Sequence, residues 1–159
     1  MHDTQLIELC GRHRLIEELV EAEIEVALPL RDRGIDLIAH CDTVKFSAVP
    51  IQMKAASTES FAIDRKYERF PGIILAYVWH LADHAKAVTY ALTYEDAEKL
   101  AGEMGWTKNR SWTKPKKENP GWSTSYIETK LRKLLEPHRM TRAKWREKIV
   151  LAAEDAANV

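Results

Sequence analysis

The sequence predicts an α/β fold, a single mixed β-sheet sandwiched between helices. Three observations carry that expectation. Apolar residues recur at helical spacing near the start of the chain, at Leu6, Leu9, Leu15, Ile16, Leu19 and Val20. The segment Ile73 to Trp79, IILAYVW, is apolar throughout and of strand length, the mark of a central strand covered on both faces. Several strand-like segments, including a hairpin, lie between that first helix and further helical segments at the C-terminal end, the order of a layered α/β domain.

The first helix is expected over Thr4 to Glu23, with Asp3 or Thr4 as its cap, and Gly11 inside it marks a break or a close packing point. Ile24 to Leu28 alternates apolar and polar before Pro29 and reads as a first strand, followed by a turn at Arg31 to Gly34. Strands at Ile35 to Ala39 and Phe46 to Ala55 come next. Pro50 lacks a ladder donor, so the later of these must start late, bulge, or turn that position away from a partner. Ser57 to Gly72 reads as a crossing loop or short helix. A turn at Ala82 to His84 leads to a strand at Ala87 to Leu92, then a helix opened by Thr93-Tyr94-Glu95-Asp96 and stopped at Gly105. Ser125 to Glu128 fits a capping box for a helix to Leu135, and Thr141 caps a last helix through Ala156.

A chain of 159 residues fits one domain and buries a core without disulfides or structural metal. The core is expected over about residues 4–104, with a basic loop and helices over 105–159. Lys+Arg (24) equals Asp+Glu (24), so there is no overall bias toward nucleic acid or membrane. The distribution is uneven: residues 1–64 hold 12 acids and 6 bases, leaving 12 acids and 18 bases for residues 65–159. Cys10 and Cys41 fall in no C-x-x-C spacing, which speaks against a disulfide framework or a four-cysteine zinc site. No run approaches the roughly 18 apolar residues of a membrane span, and the N-terminal stretch lacks the order of a signal peptide. A cytoplasmic protein is expected.

The chemistry concentrates in GIDLIAHCDTVKFSAVPIQMKAAS, Gly34 to Ser57. Strand alternation sends Val49, Ile51, Met53 and Ala55 to a core and puts Gln52 and Lys54 together on the other face. Asp36, an isolated acid between Ile35 and Leu37, is brought beside them if the chain returns antiparallel. A carboxylate, an amide oxygen and the Met53 carbonyl are the oxygen donors that a hard cation such as Mg²⁺ or Mn²⁺ accepts while keeping several waters. Lys54 would then orient or deprotonate water, or stabilise charge at phosphorus.

This order of elements, with Gly-Ile-Asp-Leu on one strand and Gln-x-Lys followed by small residues on the next, resembles the PD-(D/E)XK nuclease superfamily. The Gln-x-Lys form is that of some members related to homing endonucleases and Holliday-junction resolvases. The resemblance is closest from Gly11 to Ser57 and looser through Met104. It implies a three-layer α/β/α, restriction-endonuclease-like core with extra C-terminal helices, and Mg²⁺- or Mn²⁺-dependent cleavage of DNA, with a homodimer as a possibility. Asp36 matches the family's metal-binding aspartate, Gln52 its second acid or amide, and Lys54 its lysine. Relatives commonly carry a glutamate on the first helix about two dozen residues before the aspartate. That count lands near Arg12 and His13, so Glu17 is the candidate ligand, with Glu18 beside it and Glu8 a poorer choice.

The segment from Trp106 to Trp122 interleaves Lys108, Arg110, Lys114, Lys116 and Lys117 with Trp106, Trp112 and Trp122, a composition suited to phosphate contacts and base stacking. A plainer reading packs the tryptophans into the core and leaves the lysines on the surface. Two alternatives to a nuclease stay open: a nuclease-fold module that binds nucleic acid without cutting it, and a protein-interaction domain.

Overall fold

Asp3 caps the first helix, α1 (Thr4–Glu21), its carboxylate accepting the Gln5 backbone N–H at 3.0 Å. The chain continues through β1 (Glu25–Ala27), β2 (Leu37–Cys41), β3 (Ser47–Ala55), β4 (Phe61–Asp64), a 3₁₀ turn (Arg65–Arg69), β5 (Ile74–Trp79) and β6 (Val88–Thr93). It is completed by α2 (Tyr94–Glu103), a 3₁₀ turn (Trp106–Lys108), α3 (Arg110–Thr113), β7 (Gly121–Thr124), α4 (Thr129–Leu135), a 3₁₀ turn (Glu136–His138) and α5 (Arg142–Ala157). The computed structural model describes residues 3–31, 33–41, 46–113 and 120–157, with side chains in the last helix through residue 154. Among these, no helix is long and apolar enough to cross a membrane.

The central sheet has five strands in the order β1-β2-β3-β5-β6. Only β3 and β5 are parallel, with Ile51 opposite Ile74 and Ala55 opposite Val78; the other pairings are antiparallel. Pro50 causes no loss in this arrangement. The Ile51 carbonyl accepts from the Asp36 N–H at 2.9 Å, so Ile51 faces β2 and its neighbour Pro50 turns to the opposite edge, where pairing with β5 begins only at Ile51.

Two cores cover the sheet. On one face α1 and α5 lay Leu15, Leu19, Trp145 and Ile149 over Leu37, Val49, Ile51, Met53, Ile74 and Ala76. On the other, α2 and α4 supply Leu100 and Leu131, which cluster with Leu75, Tyr77, Trp79, Phe61 and Trp106. All six β5 residues are therefore buried, as the apolar run requires. Glu18 ties the first layer together: its carboxylate accepts from Thr89 Oγ1 (2.8 Å) and Trp145 Nε1 (3.0 Å) and pairs with Arg14 Nε (3.0 Å). On the second face the Tyr77 hydroxyl donates to the Ala62 carbonyl and Trp79 Nε1 to the Ser60 carbonyl, each at 2.7 Å. These bonds hold β4 and the residues leading into it against the sheet.

The structure departs from the sequence expectation in three places. Residues 57–72 contain β4, which pairs with β7 to form a separate two-stranded sheet. Neither strand announces itself, because both are four residues long and each is stabilised by a partner about 60 positions away. The capping box at Ser125 is not used: α4 starts at Thr129 with Glu128 in the cap position. Asp36 precedes β2 rather than lying within it, after a left-handed turn at Gly34 (φ 92°).

Two predictions follow from this packing. A Cβ on Gly11 would lie 2.7 Å from Ala55 Cβ, 3.2 Å from Leu81 Cδ1 and 3.3 Å from Met53 Sδ. Gly11→Ala should therefore lower stability in denaturant by about 1 kcal/mol net, since overpacking (roughly 1–3 kcal/mol) outweighs the gain in helix propensity. Equal or higher stability would show that α1 does not need this close approach.

Glu59 accepts from Arg132 at 2.7 and 2.6 Å and pairs with His80 Nε2 at 3.1 Å, joining α4 to the segment before β4. The hydrogen bonds from Arg132 hold the Glu59 carboxyl below its ordinary value of 4.5. A depressed folded-state value means stabilisation present above 4.5 and lost as pH falls through the folded-state value. Glu59→Gln should cost about 1 kcal/mol at pH 7, the scale of a well-formed but partly exposed pair. The difference from wild type should vanish in acid melts, and a gap that persists at pH 2 would refute the assignment.

Candidate functional site

Strand β3 builds the site by alternation. Met53 turns into the core under α1, while Gln52 and Lys54 stand on the opposite face, level with Leu75 and Tyr77 of β5. Asp36 reaches them because β2 returns antiparallel to β3, with Leu37 opposite Ile51. Asp36 Oδ2 accepts the Met53 backbone N–H at 2.7 Å and Gln52 Nε2 at 2.6 Å, and the same amide nitrogen lies 3.1 Å from the Met53 carbonyl oxygen. Lys54 Nζ donates to the Tyr67 hydroxyl at 3.4 Å and lies 5.6 Å from the centre of that ring. Asp36, Gln52, Met53 and Lys54 thus share one place, as the sequence pattern requires.

Gln52 carries an unresolved demand. It is 8 % exposed, and its Oε1 is buried without a hydrogen-bond partner. An unsatisfied buried acceptor costs about 1–3 kcal/mol. Turning the amide over would set an oxygen between Asp36 Oδ2 and the Met53 carbonyl, which is repulsive for a neutral site and favourable when a cation joins the three oxygens. The donor set therefore fits a hard divalent ion: one carboxylate, one amide oxygen and one main-chain carbonyl. Among the described residues no group of three or more His, Cys, Asp or Glu side chains could hold a metal ion, so the donor set described here is a mixed one.

These groups line a cavity of about 260 Å³ whose walls also include Ile7, Glu8 and Arg12 of α1, and Ser60 and Ala62 beside β4. Glu17 is not in this wall; it is exposed on α1. Nine residues separate it from Glu8, two and a half helical turns, which puts the two on opposite sides of the helix. Glu18 is committed to Thr89, Trp145 and Arg14. The charged α1 side chains at the cavity are Glu8 and Arg12; the sequence pattern makes Glu8 a poorer candidate than Glu17 and gives Arg12 no ligand role. Gly11 held the available signal: the helix touches Met53 and Ala55 there, so its neighbours in space, Glu8 and Arg12, overhang the end of β3. Tyr67 gives no sequence signal, because its position depends on the 3₁₀ turn.

The basic segment divides. Lys108 and Arg110 are exposed, whereas Trp112 is 6 % exposed within the second core and has Arg65 5.9 Å from its ring centre. Its ring presents no open face for base stacking. Lys114, Lys116 and Lys117 lie outside the described residues. Against this geometry, comparison of the chain with protein-family models, with curated proteins and with solved structures finds no significant match in any of the three.

Proposed function

We propose that this chain is a metal-dependent nuclease-like hydrolase of phosphodiester bonds, acting on DNA in the cytoplasm. The observation that carries the reading is the convergence of Asp36, the Gln52 amide and the Met53 carbonyl beside Lys54, with Gln52 Oε1 buried and unpartnered. Asp36, Gln52 and Met53 would hold Mg²⁺ or Mn²⁺. A bound ion of this kind supplies Lewis acidity and lowers the pKa of an attacking water. Lys54, steadied by Tyr67, places a cation where negative charge develops at phosphorus. Exposed Lys108 and Arg110 contribute phosphate contacts outside the cavity. The free thiols of Cys10 and Cys41 suit a reducing compartment, and a homodimer would set one such site against each strand.

A second reading is favoured by the single carboxylate in the donor set: a nuclease-fold module that grips nucleic acid without cutting it. Salt-sensitive DNA binding with no product would mark that case, because phosphate contacts release counterions.

Purified protein should cut single- or double-stranded DNA or RNA with Mg²⁺ or Mn²⁺, and Lys54→Ala should slow it about 100-fold or more. Wild type that cuts no better than Lys54→Ala would remove the catalytic assignment. Binding of the ion has its own readout. Gln52→Glu replaces the 2.6 Å donor to Asp36 with a second carboxylate, so without divalent ions it should lose about 1–3 kcal/mol of stability. Millimolar Mn²⁺ should raise its melting temperature more than that of wild type, and a variant indifferent to Mn²⁺ would count against a cation at this position.

A further inference from the structure

The α1 wall of the cavity holds a cation that the metal reading leaves unused. Arg12 lines the cavity together with Asp36, Gln52 and Lys54. Its Nε is buried without a hydrogen-bond partner, and no hydrogen bond or ion pair joins its guanidinium to another described residue. Glu8, one turn earlier on the same stripe of α1, also lines the cavity but makes no ion pair with it. A half-buried guanidinium lacking a carboxylate is costly in a protein. Its planar fork of donors matches the oxygens of a phosphate.

We propose that Arg12 is the phosphate-binding residue of this cavity, gripping non-bridging oxygens of the phosphodiester from α1 in the space that Asp36, Gln52 and Lys54 also line. The assignment rests on the nuclease reading for its substrate class. The charge of the lining supports it: among the described residues Glu8 and Asp36 balance Arg12 and Lys54, so a divalent ion would shift that balance toward positive and draw an anion in. Gly11 makes the approach possible. The close contact of α1 with Ala55 and Met53 at that glycine brings the next residue, Arg12, over the end of β3.

Phosphorus-31 NMR titration of inorganic phosphate, with Mg²⁺ present, tests the site without relying on turnover. Wild type should bind, Arg12→Gln should bind about tenfold more weakly or worse, and Arg12→Lys should fall between. Phosphate should also protect Arg12 of the wild-type protein from phenylglyoxal, mapped by mass spectrometry, a measurement that does not depend on whether the variants fold. Arg12→Gln that binds phosphate like wild type, or Arg12 modified equally fast with and without phosphate, overturns the proposal even if wild type cuts DNA in a Lys54-dependent manner. Phosphate binding through Arg12 without cleavage upholds it and moves the protein to the binding-module reading. Wild type that neither binds phosphate nor cuts overturns both.

Discussion

The parallel pairing of β3 with β5 is the constraint from which the rest of the molecule follows. A parallel neighbour cannot be reached through a tight turn, so the chain must leave β3 at Ala55, cross the sheet and return at Ile74. That crossing contains β4 and the 3₁₀ turn that presents Tyr67. Because β5 is apolar on both faces, helices must cover both sides, and α1 with α5 on one and α2 with α4 on the other do so. The same pairing leaves the C-terminal end of β3 bracketed by α1 above and the crossing segment below. Polar side chains there line a cavity and are not extinguished in a core.

Asp36 shows how fold and site share one group. Its carboxylate takes the Met53 main-chain N–H and the Gln52 amide, so it anchors the entry of β2 to the end of β3, and under the proposed reading it would also supply the carboxylate of the donor set. Gln52 in turn satisfies its nitrogen and leaves its oxygen unpaired. An ordinary structural glutamine at such burial would satisfy both ends. Under the proposed reading, a cation able to reorient the amide would complete that unpaired end.

Helix α1 shows the opposite relation, in which position and not residue type decides the role. Glu17 and Glu18 are adjacent carboxylates, yet one is exposed and the other knits α1 to Thr89 and Trp145. Arg12 carries the wrong charge for a metal ligand but sits at the cavity, because Gly11 lets the helix descend onto β3 at that turn. The tryptophans follow the same logic. Trp106 and Trp112 lie in a basic segment but are largely buried, where their large apolar surface is worth most.

The local sequence determined what depends on short-range periodicity. The apolar run of β5, the alternation that separates Met53 from Gln52 and Lys54, the hairpin that returns Asp36 and the capped starts of α1 and α2 are all legible within a dozen or so residues. Tertiary structure decided whatever joins distant segments. The β4–β7 sheet, the place of Tyr67, the choice of Glu8 and Arg12 over Glu17, and the tie from Glu18 to Trp145 depend on the angle at which α1 crosses the sheet and on the route of the crossing segment. Those are fixed by packing of side chains far apart in the chain, and a periodicity of two or 3.6 residues carries no record of them.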